Sequence, residues 1–493
     1  MKNKFIHIIS KPFFLALLPL FYFQHAMFEN YAPSLVPDFL KLTLLYSGIT
    51  ILLAGVIFLF FRNFTKAALA SLTIIALNFF YTSIQNLLTK ISGGPIFSKL
   101  SILLPISTLF VLIIIYIIAK SNKSLFTFCR YLNFLLFLLI IIDFVQIIQA
   151  KDQFQSRLKK HTFQNQNFAK CDTCSHPDIY LIVADEYAGN QELKDIFNYD
   201  NYKFDSALTQ KGFNVIKNTN ANYNSTVYSM GSFFSMNYLN GLNKNLTENY
   251  KDILFCRELI KENALTKFLE IENGYEIHNL SFFDLSDHKS SVQNILTTNT
   301  NILAGATLFN KLRNIFGARL VSKQKLEKIK LTELAENLKT ELLLKETIYT
   351  VNGKPKLVYA HFNMPHWPYF FDSAGNKTPV DSLTEAYKAN KQAYIQYLNY
   401  TNNKILGLID DVKLKSNKPP VIMLISDHGF RQLTPGTDKK YYFMNLNAIL
   451  LPTTRYAGFY EGMSNVNFLR MFMNTQFKQS WPLLPDSSIF IKD

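Results

Sequence analysis

Cysteine is scarce in this chain: there are four in 493 residues, and only Cys171 and Cys174 lie close together. A lone CxxC lacks the second ligand pair that a structural zinc site wants, so a short-loop disulfide in an oxidising compartment is the expected state, with no catalytic role. Internal repeats and long low-complexity tracts are missing, which sets aside solenoids and fibrous arrays. No small-residue cleavage site separates the first apolar stretch from the next, so an uncleaved helix is expected there rather than a signal peptide. Charge inside the apolar stretches is almost absent, which argues against a transporter.

What the chain does have is unevenly spread. Roughly the first 150 residues are dominated by Phe, Leu and Ile; the rest is rich in Asn, Lys and Tyr. A membrane-crossing helix needs roughly 20 residues. Five stretches qualify: Pro12–Phe28, Leu40–Phe61, Ala67–Leu88, Leu100–Ala119 and Tyr131–Ile148. The first is the shortest and carries His25.

Lys2, Lys4 and Lys11 precede the first stretch, Arg62 and Lys66 follow the second, and Lys120, Lys123 and Arg130 follow the fourth. The loop ENYAPSLVPD has neither Lys nor Arg, although Lys90 and Lys99 occupy the other loop on that side. The positive-inside rule then places the N-terminus in the cytoplasm and everything after Lys151 on the outer, periplasmic or extracellular, face. The formal net charge of +15 suits anionic lipid headgroups. An exported domain meets no genome, so nucleic acid is not an expected partner. The expected organisation is a transmembrane bundle over 1–150, an irregular polar neck over 151–176 and an exported domain over 177–493.

Within that domain, short apolar runs read as strands covered on both faces: Ile179–Ala184, Gly212–Ile216, Tyr275–Ser281, Lys356–Phe362, Val421–Ser426 and Asn447–Pro452. Between them, Leu326–Leu344 and Ser382–Val412 have helical periodicity, the latter through Tyr394, Leu398, Ile405 and Ile409. Alternating strands and helices predict an α/β domain with a mostly parallel sheet covered by helices on both faces. Sites in such domains form beyond the carboxyl ends of the strands.

The run VIMLISDHGF stops at Asp427, His428 and Gly429. Asp and Gly are ordinary turn residues, so this ending alone decides nothing. Two other strands also end in ligand types, however: the first in Asp185 and Glu186, and KLVYAHF near His361, followed by His366 in NMPHWPY. Asp and His together are O and N donors suited to Zn²⁺ or Mn²⁺. Thr226 in NYNSTVYSM precedes a helical segment whose N-terminal amides would favour an anion. It is equally an ordinary helix cap, and Asn224-Ser225-Thr226 also spells a glycosylation acceptor.

Together these motifs resemble the alkaline phosphatase and sulfatase superfamily. The closer likeness is to its membrane-anchored members, the lipoteichoic acid synthases and the phosphoglycerol and phosphoethanolamine transferases. The resemblance implies five membrane helices before an exported alkaline phosphatase-like domain. It implies Asp185, Asp427, His428 and Thr226 as ligands of one divalent ion, Zn²⁺ or Mn²⁺, with Glu186 the alternative to Asp185. Thr226 would be the nucleophile and His366 the group touching the transferred moiety. His361 and Arg431 are substrate-binding candidates, and His361, Asp287 and His288 are spare donors for a second ion. The sequence departs from formylglycine sulfatases, which need Cys or Ser in a C/S-x-P-x-R context that Thr226 lacks. The implied activity is therefore transfer of a headgroup, phosphoethanolamine or phosphoglycerol, from a membrane phospholipid donor. It would pass through a covalent threonine intermediate to an envelope glycan or lipid acceptor. A sulfatase-like or phosphodiester hydrolase, and a non-catalytic envelope assembly protein, are the alternatives.

Overall fold

The computed structural model describes residues 10–492 except 95, 162–167, 170, 172, 293–294, 321–326, 328–330 and 351–352. The chain divides into two compact units, one of residues 1–155 with 297–322 and the other of 156–296 with 323–493.

The first unit holds α1 (Phe14–Glu29), α2 (Val36–Phe61), α3 (Phe64–Ser92), α4 (Leu100–Lys120) and, as far as residue 155, α5 (Phe126–His161). Four helical stretches, 33–61, 64–92, 100–120 and 126–161, are long and apolar enough to cross a membrane. The fifth expected crossing, α1, has 16 described residues, about 24 Å at helical rise against a hydrocarbon core of roughly 30 Å. Leu44, Leu52 and Phe60 are 70–80% exposed, which a water-facing helix would not sustain and a lipid-facing one requires. Inside, Tyr22 stacks on Phe79 at 4.2 Å, with Phe23 and Tyr46 around them. The bundle is not wholly free of buried charge, since Asp143 is buried and lies 3.2 Å from His25.

Two findings differ from the linear reading. The polar stretch after Lys151 begins as helix, because α5 runs on to His161. Residues 297–322, expected within the second part, belong to the first unit. Their helices, Asn299–Ala304 and Leu308–Leu320, are tied to it by Thr300 Oγ1 donating to Asp38 Oδ1 at 3.1 Å and by Phe309 N donating to Asn78 Oδ1 at 2.9 Å.

In the second unit all six expected runs are strands: β1 (Ile179–Ala184), β2 (Asn214–Ile216), β3 (Glu276–Leu280), β4 (Lys356–Phe362), β5 (Val421–Ile425) and β6 (Asn447–Leu450). They form one sheet in the order β2-β6-β5-β1-β4-β3. Strands β3, β4, β1 and β5 run parallel, and β6 pairs antiparallel with both β5 and β2. Every residue of β1, β4 and β5 is buried, as continuous apolar runs demand. Helices α6 (Asn190–Phe197), α7 (Tyr202–Gln210), α8 (Thr226–Ser235) and α9 (Lys391–Lys415) carry the side chains that matter below. The helix expected over Leu326–Leu344 spans Thr332–Tyr349, and Leu326 itself lies outside the described residues. The Cys171–Cys174 disulfide is formed.

Candidate active site

Register brings the strand ends together. Val183 of β1 lies opposite both His361 of β4 and Ile425 of β5, so Asp185 and Asp427, each two residues on, emerge at one level. Asp185, Asp427 and His428 are buried and offer ligand atoms within 4.8 Å of one another. His428 Nδ1 donates to the Gly429 carbonyl at 2.8 Å. This leaves Nε2 with its lone pair, 3.2 Å from Asp427 Oδ2 and 3.9 Å from Asp185 Oδ1.

Asp185 Oδ1 and Asp427 Oδ2 are buried without a hydrogen-bond partner. Unmet buried acceptors are costly, and a divalent cation is the group that would satisfy both together with the imidazole lone pair. The donor set therefore fits a metal ion.

Thr226 opens α8, with Ser225 before it as cap. Thr226 Oγ1 donates to Asp185 Oδ2 at 3.4 Å and lies 3.2 Å from His428 Nε2. Ser229, one turn on, donates to the Asp427 carbonyl at 2.6 Å and ties α8 to the Asp-His-Gly loop. Asn224 is 2% exposed and bonded through both side-chain atoms to the Ile491 backbone. A glycosylation acceptor cannot be that inaccessible.

Glu186 has a left-handed backbone (φ 59°), a costly conformation for a residue with a side chain. Its carboxylate meets the Arg431 amide and the His366 ring instead of joining the ligand group. Its amide donates to Asp427 Oδ1 at 3.1 Å, and its Oε1 accepts from the Arg431 amide at 2.6 Å. Among the described residues the ligand group thus contains Asp185 and not Glu186. The described bond of Arg431 to the site is through its backbone.

His366 Nε2 stands 3.7 Å from Glu186 Oε2, and its amide donates to the Asp185 carbonyl at 3.1 Å. Burial acts to lower the His366 pKa, but the carboxylates of Glu186, Asp185 and Glu333 outweigh it, and the net shift is upward. His361 is fully buried, with Nε2 3.5 Å from Asp185 Oδ2 and Nδ1 2.9 Å from the Tyr359 hydroxyl. Burial would raise the Asp185 pKa. The hydrogen bond from His361 and the charges of His366, His428 and His361 overcome it and hold the carboxyl well below its ordinary range. Asp287 and His288 stand apart in a turn where His288 pairs with Glu270 at 2.9 Å.

Several residues escaped the sequence reading. Glu192 of α6 is fully buried and accepts from the Phe430 amide at 3.3 Å; an acidic residue in a first helical turn reads simply as a dipole complement. Burial pushes its pKa well above the carboxylate range. Tyr394 of α9 accepts from the Ala188 amide at 2.9 Å and donates to the Glu186 carbonyl at 2.8 Å, clasping the loop after β1. Tyr359 precedes His361 by two residues and so shares its face of β4, a signal that strand periodicity supplies.

Residues 184–482 match the sulfatase family. The chain belongs to that family. No curated protein sequence matches it. Among solved structures, this sulfatase-family chain is similar to the C-terminal periplasmic domain of EptC from Escherichia coli. Identity there is 14% and the TM-score 0.38, over 63% of this chain and 84% of that one. It is also similar to the integral membrane protein lipooligosaccharide phosphoethanolamine transferase A from Neisseria meningitidis, at 12% identity and TM-score 0.37, over 94% and 95% of the two chains.

Proposed function

We propose that the protein is a membrane-anchored, metal-dependent phosphotransferase. It would take a phosphoethanolamine or phosphoglycerol headgroup from a phospholipid and pass it to an envelope glycan or lipid on the outer face of the membrane. The observation that carries the reading is the position of Thr226 Oγ1, 3.4 Å from Asp185 Oδ2 and 3.2 Å from His428 Nε2 at the first turn of a helix. A threonine cannot become the aldehyde that sulfate-ester hydrolysis by formylglycine enzymes requires, which favours phosphoryl chemistry on the same scaffold.

Asp185, Asp427, His428 and Thr226 would hold one Zn²⁺ or Mn²⁺. Such an ion supplies charge neutralisation at the phosphoryl oxygens and a lowered hydroxyl pKa when bound. Asp185 orients the Thr226 hydroxyl. The Thr226 hydroxyl gives up its proton to water, and Oγ1 forms a bond to phosphorus while the bond to the diacylglycerol oxygen breaks. His366, whose hold on a proton the carboxylates around it strengthen, gives its proton to that leaving oxygen. In the second half-reaction His366 takes the proton of the acceptor hydroxyl, which displaces Thr226 from phosphorus. His361 and Arg431 contact the substrate. A helical anchor raises the effective concentration of lipid headgroups at the site.

The test is incubation of the full-length protein in nanodiscs with headgroup-labelled phosphatidylethanolamine or phosphatidylglycerol and an envelope fraction. Label should appear on Thr226 and then on the envelope fraction, and Thr226→Ala should abolish both. An adduct that persists in Thr226→Ala removes it as nucleophile. Label released only to water indicates the hydrolase alternative.

A further inference from the structure

A cavity of about 760 Å³ lies in the second unit beside the site described above, bounded by residues 187–191, α7, β2 and residues 444–446. That volume is within the range of about 300–1,000 Å³ typical of small-ligand sites. Neither the Asp185, Asp427 and His428 group nor Thr226 or His366 lines it.

Its lining mixes apolar side chains such as Val215 and Leu446 with polar ones, and is balanced in charge. Asn190, Gln191, Asn198 and Asn218 bring amides that both donate and accept. Lys194 and Lys217 stand against Asp200 and Asp205, so neither a bare anion nor a bare cation is selected. Two lining residues hold unmet acceptors, since Asp205 Oδ1 and Asn445 Oδ1 are buried without a partner. Asn445 is 4% exposed, and its Nδ2 is committed to the Ser426 carbonyl at 2.6 Å and to Asn465 Oδ1 at 2.9 Å. The amide cannot flip to relieve its oxygen. Those two oxygens lie beneath the lining, and it is the amides of Asn190, Gln191, Asn198 and Asn218 at the cavity wall that suit a ligand bringing several hydroxyls at once. Tyr202, 69% exposed, also lines the cavity and offers a ring to an apolar sugar face.

We infer that this cavity binds a neutral, polyhydroxylated glycan and is the docking cleft for the acceptor. The inference rests on the proposed transferase function for the word acceptor, and on the cavity alone for the glycan. The path to the site is short in the chain. On α6, Gln191 lines the cleft while its neighbour Glu192 reaches the Phe430 amide of the Asp-His-Gly loop. Residues 187–189 line the cleft directly after Asp185 and Glu186. A saccharide chain seated here is held while a hydroxyl further along it meets Thr226.

The test is calorimetry and saturation-transfer NMR on the full-length protein in nanodiscs. The probes are neutral tetrasaccharides of glucose and of N-acetylglucosamine. At least one should bind saturably, and Asp205→Ala and Tyr202→Ala should each weaken it about tenfold. Tyr202 is exposed enough that its variant folds even if Asp205→Ala does not. Absence of saturable binding to both probes, or binding indifferent to both cleft variants, overturns the inference. Headgroup release from labelled lipid, measured in parallel, reports on the transferase reading separately. A protein that binds the tetrasaccharide but never consumes lipid loses that reading and keeps the cleft.

Discussion

Gly429 gives the sharpest test of how the site is held. A methyl group built on it would lie 2.3 Å from the Tyr441 carbonyl oxygen, 2.6 Å from that of Met444 and 2.7 Å from Glu192 Oε2. Two of these are backbone atoms, so no rotamer change relieves them. Its φ is not among the left-handed ones, so the requirement is steric rather than conformational. Restoring normal contact needs a shift of roughly 1 Å, and the neighbours free to move include His428 and Asp427, which present the ligand atoms. Overpacking of this kind costs about 1–3 kcal/mol, and a misplacement of about 1 Å at a catalytic group costs about a hundredfold in rate. Gly429→Ala should therefore lower the unfolding midpoint by several degrees, at roughly 2–4 °C per kcal/mol. It should also reduce headgroup transfer at least about a hundredfold. The assays are thermal unfolding of full-length protein in detergent and label transfer in nanodiscs. A variant with wild-type midpoint and wild-type turnover would show that the loop absorbs the methyl and that the close packing around Gly429 is irrelevant.

Other expectations follow from the same geometry. Asp427→Asn should strip the protein of its metal, read by elemental analysis of full-length material, and a variant that keeps its ion refutes the ligand role. Glu192→Gln should leave the unfolding midpoint nearly unchanged, because burial pushes that carboxyl toward its neutral form and the amide oxygen still accepts from Phe430 N, whereas Glu192→Ala, which removes the acceptor, should cost about 1–3 kcal/mol. Loss of stability in Glu192→Gln would mean the charge is needed. Asp205 is pushed up to about 6 from 3.8, chiefly by burial, with the Asn190 hydrogen bond opposing. The folded state then holds this proton more tightly than the unfolded one, so stability falls as pH rises through that window. Asp205→Asn should gain about 1–2 kcal/mol at pH 7.5 and nothing near pH 3.5; a gain independent of pH contradicts this.

Much of the second unit was legible because its strands are short apolar runs and the ladder amplifies what they say. Once Val183 faces His361 and Ile425, residues separated by more than two hundred positions must share one level, and strand-end chemistry becomes a site. The helix beyond Lys151 was not read from the sequence, because the polarity of the stretch masked Phe154 and Leu158, which stand four apart among strong helix formers. Glu192 and Tyr394 could not be found this way. Each acts through a tertiary contact with a loop, and nothing in the local pattern around an acidic residue in a first turn or a tyrosine on a helix says what it will meet. The excursion of residues 297–322 was hidden for a related reason, because an apolar face announces that it will be covered without naming the cover.

That excursion changes how the protein can be dissected. The chain passes between its two units three times, after residues 155, 296 and 322, so a single cut below the membrane helices does not liberate a self-contained enzyme. The fragment would carry off a helix pair whose normal seat is left behind, with Phe309 60% exposed even in the intact protein. Greasy, homeless and looped out of an otherwise folded body, that segment is the part to excise before anyone asks the second unit to crystallise.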